Sequence, residues 1–346
     1  MPTFAPNPSD TQSFTPIRVD KPQVATTQGA RDTQEDRSLV LSVERKAKTS
    51  IPERGWFMAI MDGHGGPDCA QAVHKLLPKT FQAAFKEKKG DYTAALRQTV
   101  ALLTAHPDVK TKICSGTTLS IAYTASNLPC VYVAHLGDSP VMLFDAAGNI
   151  LFRTEEHNVV TNPSALNHAR RLCEKRHGVD RLSISWRVSR TDGSKRPRYI
   201  KDTRMEHDFE AMSQEILDTI EKTYLERGEE YPMEQIIEDG KIITDLMHGK
   251  GLQNTAELGA MAFDAILSRE PDIAEIPVDP NRLPVYLLLA TDGILDINPG
   301  ATLAELEAQV AKLVAVNGES AEDLIKMAGG DDAPDNTTVI LFKIES

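Results

Sequence analysis

Cysteine is scarce in this chain: four residues in 346, at positions 69, 114, 130 and 173. They form no CxxC pair and have no histidine at zinc-like spacing, which argues against a disulfide framework and a thiolate metal site. Free thiols in a reducing compartment are expected instead. Positive charge is also short, with 38 Lys and Arg against 50 Asp and Glu and a formal net charge of −12. That balance disfavours a nonspecific binder of nucleic acid or acidic membranes and suits a local cluster of acids that holds cations. No apolar run approaches the ~20 residues of a membrane span. The opening MPTFAPNPSDTQSFTP lacks the basic and apolar regions of a signal peptide. A cytoplasmic protein is expected.

What is present is an ordinary globular composition, 41% hydrophobic and 25% charged, long enough to bury a core without disulfides or a structural metal. Residues 1–21 are rich in Pro, Thr and Ser and read as a mobile tail; residues 22–346 read as a single catalytic domain. Strand-length apolar runs occur at 38–43 and 56–61, followed by a helical pattern through Val73, Leu76, Leu77, Phe81 and Phe85. Further strands are expected at 116–123, 131–136, 141–144 and 150–153, the last three as a β-meander, and again at 285–291 and 337–344. Thr302 and Glu305 form a capping-box pattern ahead of a helix. Met212, Ile216, Ile220 and Tyr224 mark an amphipathic helix inside a charged stretch.

Acidic residues recur at the ends of these strands. Glu35 and Asp36 precede the strand at 38–43, Asp62 follows 56–61, and Asp138 sits in the turn after 131–136. Asp292 ends the strand at 285–291, and Asp335 precedes the last strand. Antiparallel pairing would gather these acids at one rim, where like charges raise each other's pKa unless a cation holds them ionised. All-oxygen donors point to Mg²⁺ or Mn²⁺ rather than zinc or copper. Gly63 allows a close backbone approach and offers its carbonyl. Two ions ~3.5–4 Å apart would clamp a phosphoryl group and activate a water. Singly, each residue is unremarkable: Asp-Gly turns are common, and His64 and Arg31 alone would pass for surface residues.

Six blocks in order carry a resemblance: GARDTQEDR (29–37), MDGHGG (61–66), SGTTLSIAY (115–123), VYVAHLGDSP (131–140), LLLATDGILD (287–296) and DNTTVILF (335–342). TEEHNVVTNP (154–163) is a weaker match. The chain resembles the type 2C metal-dependent phosphatases of phosphoserine and phosphothreonine. The resemblance implies an α+β fold, two antiparallel β-sheets packed as a sandwich flanked by helices (αββα), with the metals at one end. It implies that Asp62 bridges two Mn²⁺ or Mg²⁺ ions and that Asp292 and Asp335 complete one shell. Glu35 and the Gly63 carbonyl would serve the other ion, with Asp36 acting through water. Asp138, with Asp292, matches a third, weaker metal position. Arg31 would hold the phosphate by bidentate hydrogen bonds, and His64 would protonate the leaving oxygen. The reaction implied is direct attack by a metal-bridging water, and the implied partner is a phosphorylated protein.

Three departures stand out. Pro140 replaces the arginine usual after GDS. The segment resembling TRALGD reads TAELGA (255–260), without its arginine and final aspartate and with Glu257 and Ala260 in place. A charged, partly helical insertion at about 185–250 carries Arg187, Arg190, Lys195, Arg196 and Arg198. It is either a solvated elaboration of the flap or a docking element for acidic substrates. Two other functions stay open: a catalytically silent relative that binds phosphoproteins, and a two-metal hydrolase of nucleotides.

Overall fold

The computed structural model describes residues 18–19, 21–45, 53–112, 115–126, 128, 130–158, 162–177, 182–188, 195–202, 235–238, 241–244, 257–259, 267–298 and 301–345. The chain starts with β1 (Arg18–Val19), β2 (Gln23–Thr27), β3 (Arg37–Arg45), β4 (Glu53–Met61) and the two-residue β5 (Gly63–His64). Helices α1 (Asp68–Lys88), α2 (Tyr92–Ala105) and α3 (Pro107–Lys110) follow. Then come β6 (Gly116–Thr117), β7 (Leu119–Ala125), β8 (Cys130–Leu136), β9 (Val141–Asp145), β10 (Ile150–Arg153) and α4 (Pro163–His177). Residues 182–244 contribute β11 (Leu182–Val188), β12 (Lys195–Asp202), β13 (Gln235–Glu238) and β14 (Lys241–Thr244). The remainder is β15 (Leu258–Gly259), β16 (Asp272–Pro277), β17 (Val285–Ala290), α5 (Leu303–Ala315), α6 (Ala321–Met327) and β18 (Thr337–Glu345).

One sheet runs β16-β8-β7-β4-β3, and a second runs β1-β18-β17-β9-β10 with β2 also on β18. All pairings within them are antiparallel. The period-2 alternation of each strand sorts its side chains into separate cores. On β4, Phe57, Ala59 and Met61 face a core shared with α1 and α2, while Met58 and Ile60 face the other sheet. On β18, Ile340, Phe342 and Ile344 fill that inter-sheet core, while Val339 and Leu341 pack with α5 and α6. The result is helices, sheet, sheet, helices: the αββα order that the resemblance implies.

Local signals hold where they were strongest. Val73, Leu77 and Phe81 are buried on α1. The capping box forms, with Glu305 N donating to Thr302 Oγ1 and Thr302 N donating to Glu305 Oε2 at 2.9 Å. The expected meander differs: β8 and β9 lie in different sheets, and only β9 and β10 form a hairpin. Both flanking strands are almost wholly buried, so their pattern could not distinguish a hairpin from a crossing between layers. Pro140 lacks an N–H to extend a ladder, and its carbonyl instead accepts from Ala290 N at the end of β17.

In the insertion, the described residues form a separate antiparallel sheet, β12-β11-β13-β14, with Arg187 directly opposite Arg196. The amphipathic helix expected through Met212–Tyr224, the tail before Arg18, and Arg190, Cys114 and Ala260 lie outside the described residues. Arg18 and Val19, within the stretch read as tail, pair with Glu345 and Ile344. Cys69 and Cys130 are unpaired. No helix among the described residues is long and apolar enough to cross a membrane.

Phe81 anchors the α1 layer, its ring centroid 4.0 Å from Phe57 and 5.2 and 5.9 Å from Phe85 and Tyr123, all three pairs tilted. Phe81→Ala is expected to lower unfolding free energy by about 3–5 kcal/mol, read by urea denaturation. A loss under about 1 kcal/mol would mean that the helical layer contributes little to the cooperative unit.

Candidate active site

Register decides which strand ends meet. Arg37 pairs with Met61, so the start of β3 and the end of β4 share one sheet edge. Ala290 pairs with Val339 and Thr337 with Thr27, which places Asp292 and Asp335 on one edge of the second sheet. Asp138 lies in the connection that carries the chain from the first sheet to the second. The two edges belong to the same end of the sandwich: Thr291 Oγ1 donates to Asp36 Oδ2 at 2.9 Å, and Glu35 N donates to Asn336 Oδ1 at 2.8 Å.

Asp62 is fixed through its backbone. Its N–H donates to Thr118 Oγ1, and its carbonyl accepts from Thr118 N and Thr117 Oγ1. Gly63 follows in β5, where an added Cβ would stand 2.6 Å from the Glu35 carbonyl oxygen. Only glycine permits that approach. Burial, then the charges of Asp292, Asp36 and Asp138, push the Asp62 carboxyl well above its ordinary value. Burial, then Asp138 and Asp335, push Asp292 up to about 8, while a hydrogen bond from Asp62 opposes the rise. Asp36 is pushed up to about 6, chiefly by burial, against hydrogen bonds from Thr338 and Thr291. Its Oδ1 is buried and has no hydrogen-bond partner.

The remaining predicted residues are held by neighbours. Asp138 is buried and accepts from Asn158 Nδ2 at 2.7 Å. Asp335 Oδ2 accepts from Arg31 Nη2 at 2.7 Å, and Arg31 Nε donates to the Pro334 carbonyl. Glu35 Oε1 accepts from Thr33 Oγ1. His64 Nε2 lies 2.8 Å from Glu257 Oε2. Burial alone would lower the His64 pKa, but the Glu257 charge and hydrogen bond more than reverse this and raise it.

Sequence reasoning named Glu35, Asp36, Asp62, Asp138, Asp292 and Asp335 but not the residues that support them. Thr118, Thr291 and Asn336 lie inside the named blocks, beside the acids they support. Asn158 lies in the weaker block 154–163 and Glu257 in the departing segment 255–260, but nothing local shows that they pair with Asp138, twenty residues away, and with His64, 193 residues away.

The donor set fits a hard divalent cation. It consists of carboxylates that repel one another, includes a buried unpartnered oxygen, and contains no sulfur among the described residues. Among the described residues, no three acid, imidazole or thiol groups yet form a ligand shell; Asp335 and Asp138 are instead occupied by Arg31 and Asn158.

The raised carboxyls set a pH dependence. The folded state keeps protons on Asp36 and Asp292 that the unfolded chain has already released, so their contribution is present at low pH. It is lost as pH rises from the ordinary 3.8 through about 6 for Asp36 and about 8 for Asp292. Without divalent ions, Tm should fall between about pH 5 and pH 8, and Mn²⁺ should raise it more at pH 8 than at pH 5. A metal-free Tm that climbs over this range in calorimetry would contradict the assigned repulsion.

The family model described as protein phosphatase 2C matches residues 21–328. Protein phosphatase 1L of Bos taurus is 28% identical over 172 residues, which are 46% of this chain and 44% of that protein. The chain thus aligns with less than half the length of that relative. Among solved structures, a serine-threonine phosphatase 2C from Toxoplasma gondii superposes with a TM-score of 0.56 at 18% identity, covering 96% of this chain and 98% of that one. A C. elegans sex determining protein gives a TM-score of 0.55 at 20% identity, covering 97% of this chain and 67% of that one. Two antiparallel sheets with flanking helices, six sequence blocks in order and a family match across most of the chain lead to one conclusion: this chain belongs to the protein phosphatase 2C family.

Proposed function

We propose that this chain is a metal-dependent phosphatase that hydrolyses phosphoserine and phosphothreonine in proteins. The observation that carries the proposal is the meeting of Asp36, Asp62, Asp138 and Asp292, from positions far apart in the chain, close enough for their charges to couple. Asp62, the Gly63 carbonyl and Glu35 would hold one Mn²⁺ or Mg²⁺ ion, with Asp36 acting through water, and Asp62, Asp292 and Asp335 a second. Asp138 with Asp292 would offer a third, weaker position. When bound, the ions supply an activated water and neutralise charge on the phosphoryl group.

The chain's own groups do the rest. Arg31 is exposed and reaches Asp335; its planar guanidinium can exchange that carboxylate for a phosphate dianion by bidentate hydrogen bonds. His64 delivers a proton to the serine or threonine oxygen, a poor leaving group that cannot depart as an alkoxide. Asn158 holds Asp138 without adding charge. The unpaired Cys69 and Cys130 support work in a reducing, cytoplasmic setting.

The test is hydrolysis of a phosphothreonine peptide, an aryl phosphate and a nucleotide with Mn²⁺, with Mg²⁺ and with EDTA. Metal-dependent turnover of the peptide is expected, and Asp62→Asn should reduce it by about 10³-fold or more. A preference for the nucleotide would favour the nucleotide hydrolase. Bound metal by calorimetry with no turnover would favour the silent phosphoprotein binder. In a separate comparison, His64→Ala should cost about 10²-fold on the peptide and much less on the aryl phosphate, whose leaving group needs no proton. Equal losses on both would remove His64 from the proton-transfer step.

A further inference from the structure

The contact between His64 and Glu257 is built by a small sheet apart from the two main ones. Its order is β15-β6-β5, with His64 opposite Gly116 and Gly116 opposite Gly259. This sheet brings the segment after the insertion beside the MDGHGG block, 193 residues earlier in the chain. The backbone of Glu257 is pinned on both sides: its N–H donates to the Ser268 carbonyl, and its carbonyl accepts from Arg269 Nη1 at 2.6 Å. The next residue, Leu258, is buried, and its carbonyl accepts from Cys69 Sγ on α1.

The side chain of Glu257 is wholly enclosed, at 0% exposure, whereas His64 is 32% exposed and opens toward solvent. Glu257 Oε2 meets His64 Nε2, and Oε1 is buried with no hydrogen-bond partner. Gly116 leaves the room for the pair. A Cβ there would come within 2.3 Å of His64 Nε2 and 2.5 Å of Glu257 Oε1. A buried carboxylate with one oxygen unsatisfied is costly, so its single strong contact, the imidazole, is what the placement achieves.

We infer that Glu257 is the positioning residue for His64. It holds the ring by Nε2, fixes its tautomer and leaves Nδ1 as the nitrogen that delivers the proton. The logic is that of a carboxylate orienting a catalytic imidazole, supplied here from a different region of the chain. In the step, a water oxygen forms a new bond to phosphorus as the P–O bond to serine or threonine breaks; the doubly protonated ring gives its Nδ1 proton to the departing oxygen, and the proton lost by the water passes to solvent. The Nε2–H remains hydrogen-bonded to Glu257 throughout. The inference rests on the general-acid reading of His64.

Glu257→Gln keeps the shape and removes the acceptor symmetry and the charge. It should slow turnover of the phosphothreonine peptide by about tenfold or more while changing aryl phosphate turnover by less than about twofold. KM for the peptide should stay near the wild-type value. Recorded above the pH at which the ring loses its Nδ1 proton, a two-dimensional ¹⁵N–¹H spectrum of imidazole-labelled protein should show the neutral His64 ring as a single Nε2–H tautomer in wild type and a mixture in the variant. Glu257→Asp, with a carboxylate set back by one methylene, should recover part of the peptide rate, and it carries the test if the glutamine variant does not fold. Parallel losses on both substrates, or an unchanged His64 spectrum, would overturn the positioning role. Wild type inactive on both substrates would end the phosphatase reading, and the spectrum would still decide whether Glu257 orders the ring.

Discussion

Mutual repulsion among carboxylates at one end of the sandwich is the constraint on which the site depends. Asp36, Asp62 and Asp292 each sit where burial and neighbouring charge push their protons on. Nothing in the hydrophobic cores requires an acid there. The strands above could end in any turn residue and still pack Ile340 against Leu289. The fold therefore supplies rigidity, and the site spends some of it by holding like charges together. Arg31 and Asn158 show how such a cluster is tolerated, each taking one acid as a hydrogen-bond partner.

The sandwich suits this purpose because its register is locked from inside. A one-residue slip of β4 against β3 would turn Phe57, Ala59 and Met61 away from their core. The same burial that fixes the cores therefore fixes where Asp62 stands relative to Glu35 and Asp36. Side-chain hydroxyls do the finer work between layers. Thr291 bridges Asp36 and the backbone N–H of Thr338, so one buried threonine ties the site edges of the two sheets together. Positioning by packed strands is more exact than positioning by loops, and the acids lie one or two residues beyond strand ends.

Legibility in the sequence followed the range of the interaction. The strands 38–43, 56–61, 285–291 and 337–344 announce themselves by apolar runs, and antiparallel pairing then places Glu35, Asp36, Asp62, Asp292 and Asp335 at shared edges by arithmetic. The link from β8 to β9 did not announce itself. Both strands are buried on both faces, so the alternation that would assign them to one sheet is missing. Asp138 therefore reads in the sequence as a hairpin corner, whereas the structure places it between the two sheets. Glu257 was visible only as a departure from a familiar segment. No periodicity could show that a three-stranded patch of two-residue strands would carry it to His64.

That departure bears on how the site is balanced. A chain selected for stability alone would not keep a glutamate wholly enclosed with one oxygen unpartnered; glutamine, or an apolar side chain with a smaller imidazole contact, would remove the desolvation cost. Local rules broken without a structural gain tend to mark function. Pro140 offers the contrast. It loses an N–H and the charge of the arginine usual there, yet its carbonyl is used by Ala290. One departure is absorbed by the fold, and the other adds a cost that only the imidazole contact offsets. The second is therefore where this chain's chemistry has been adjusted.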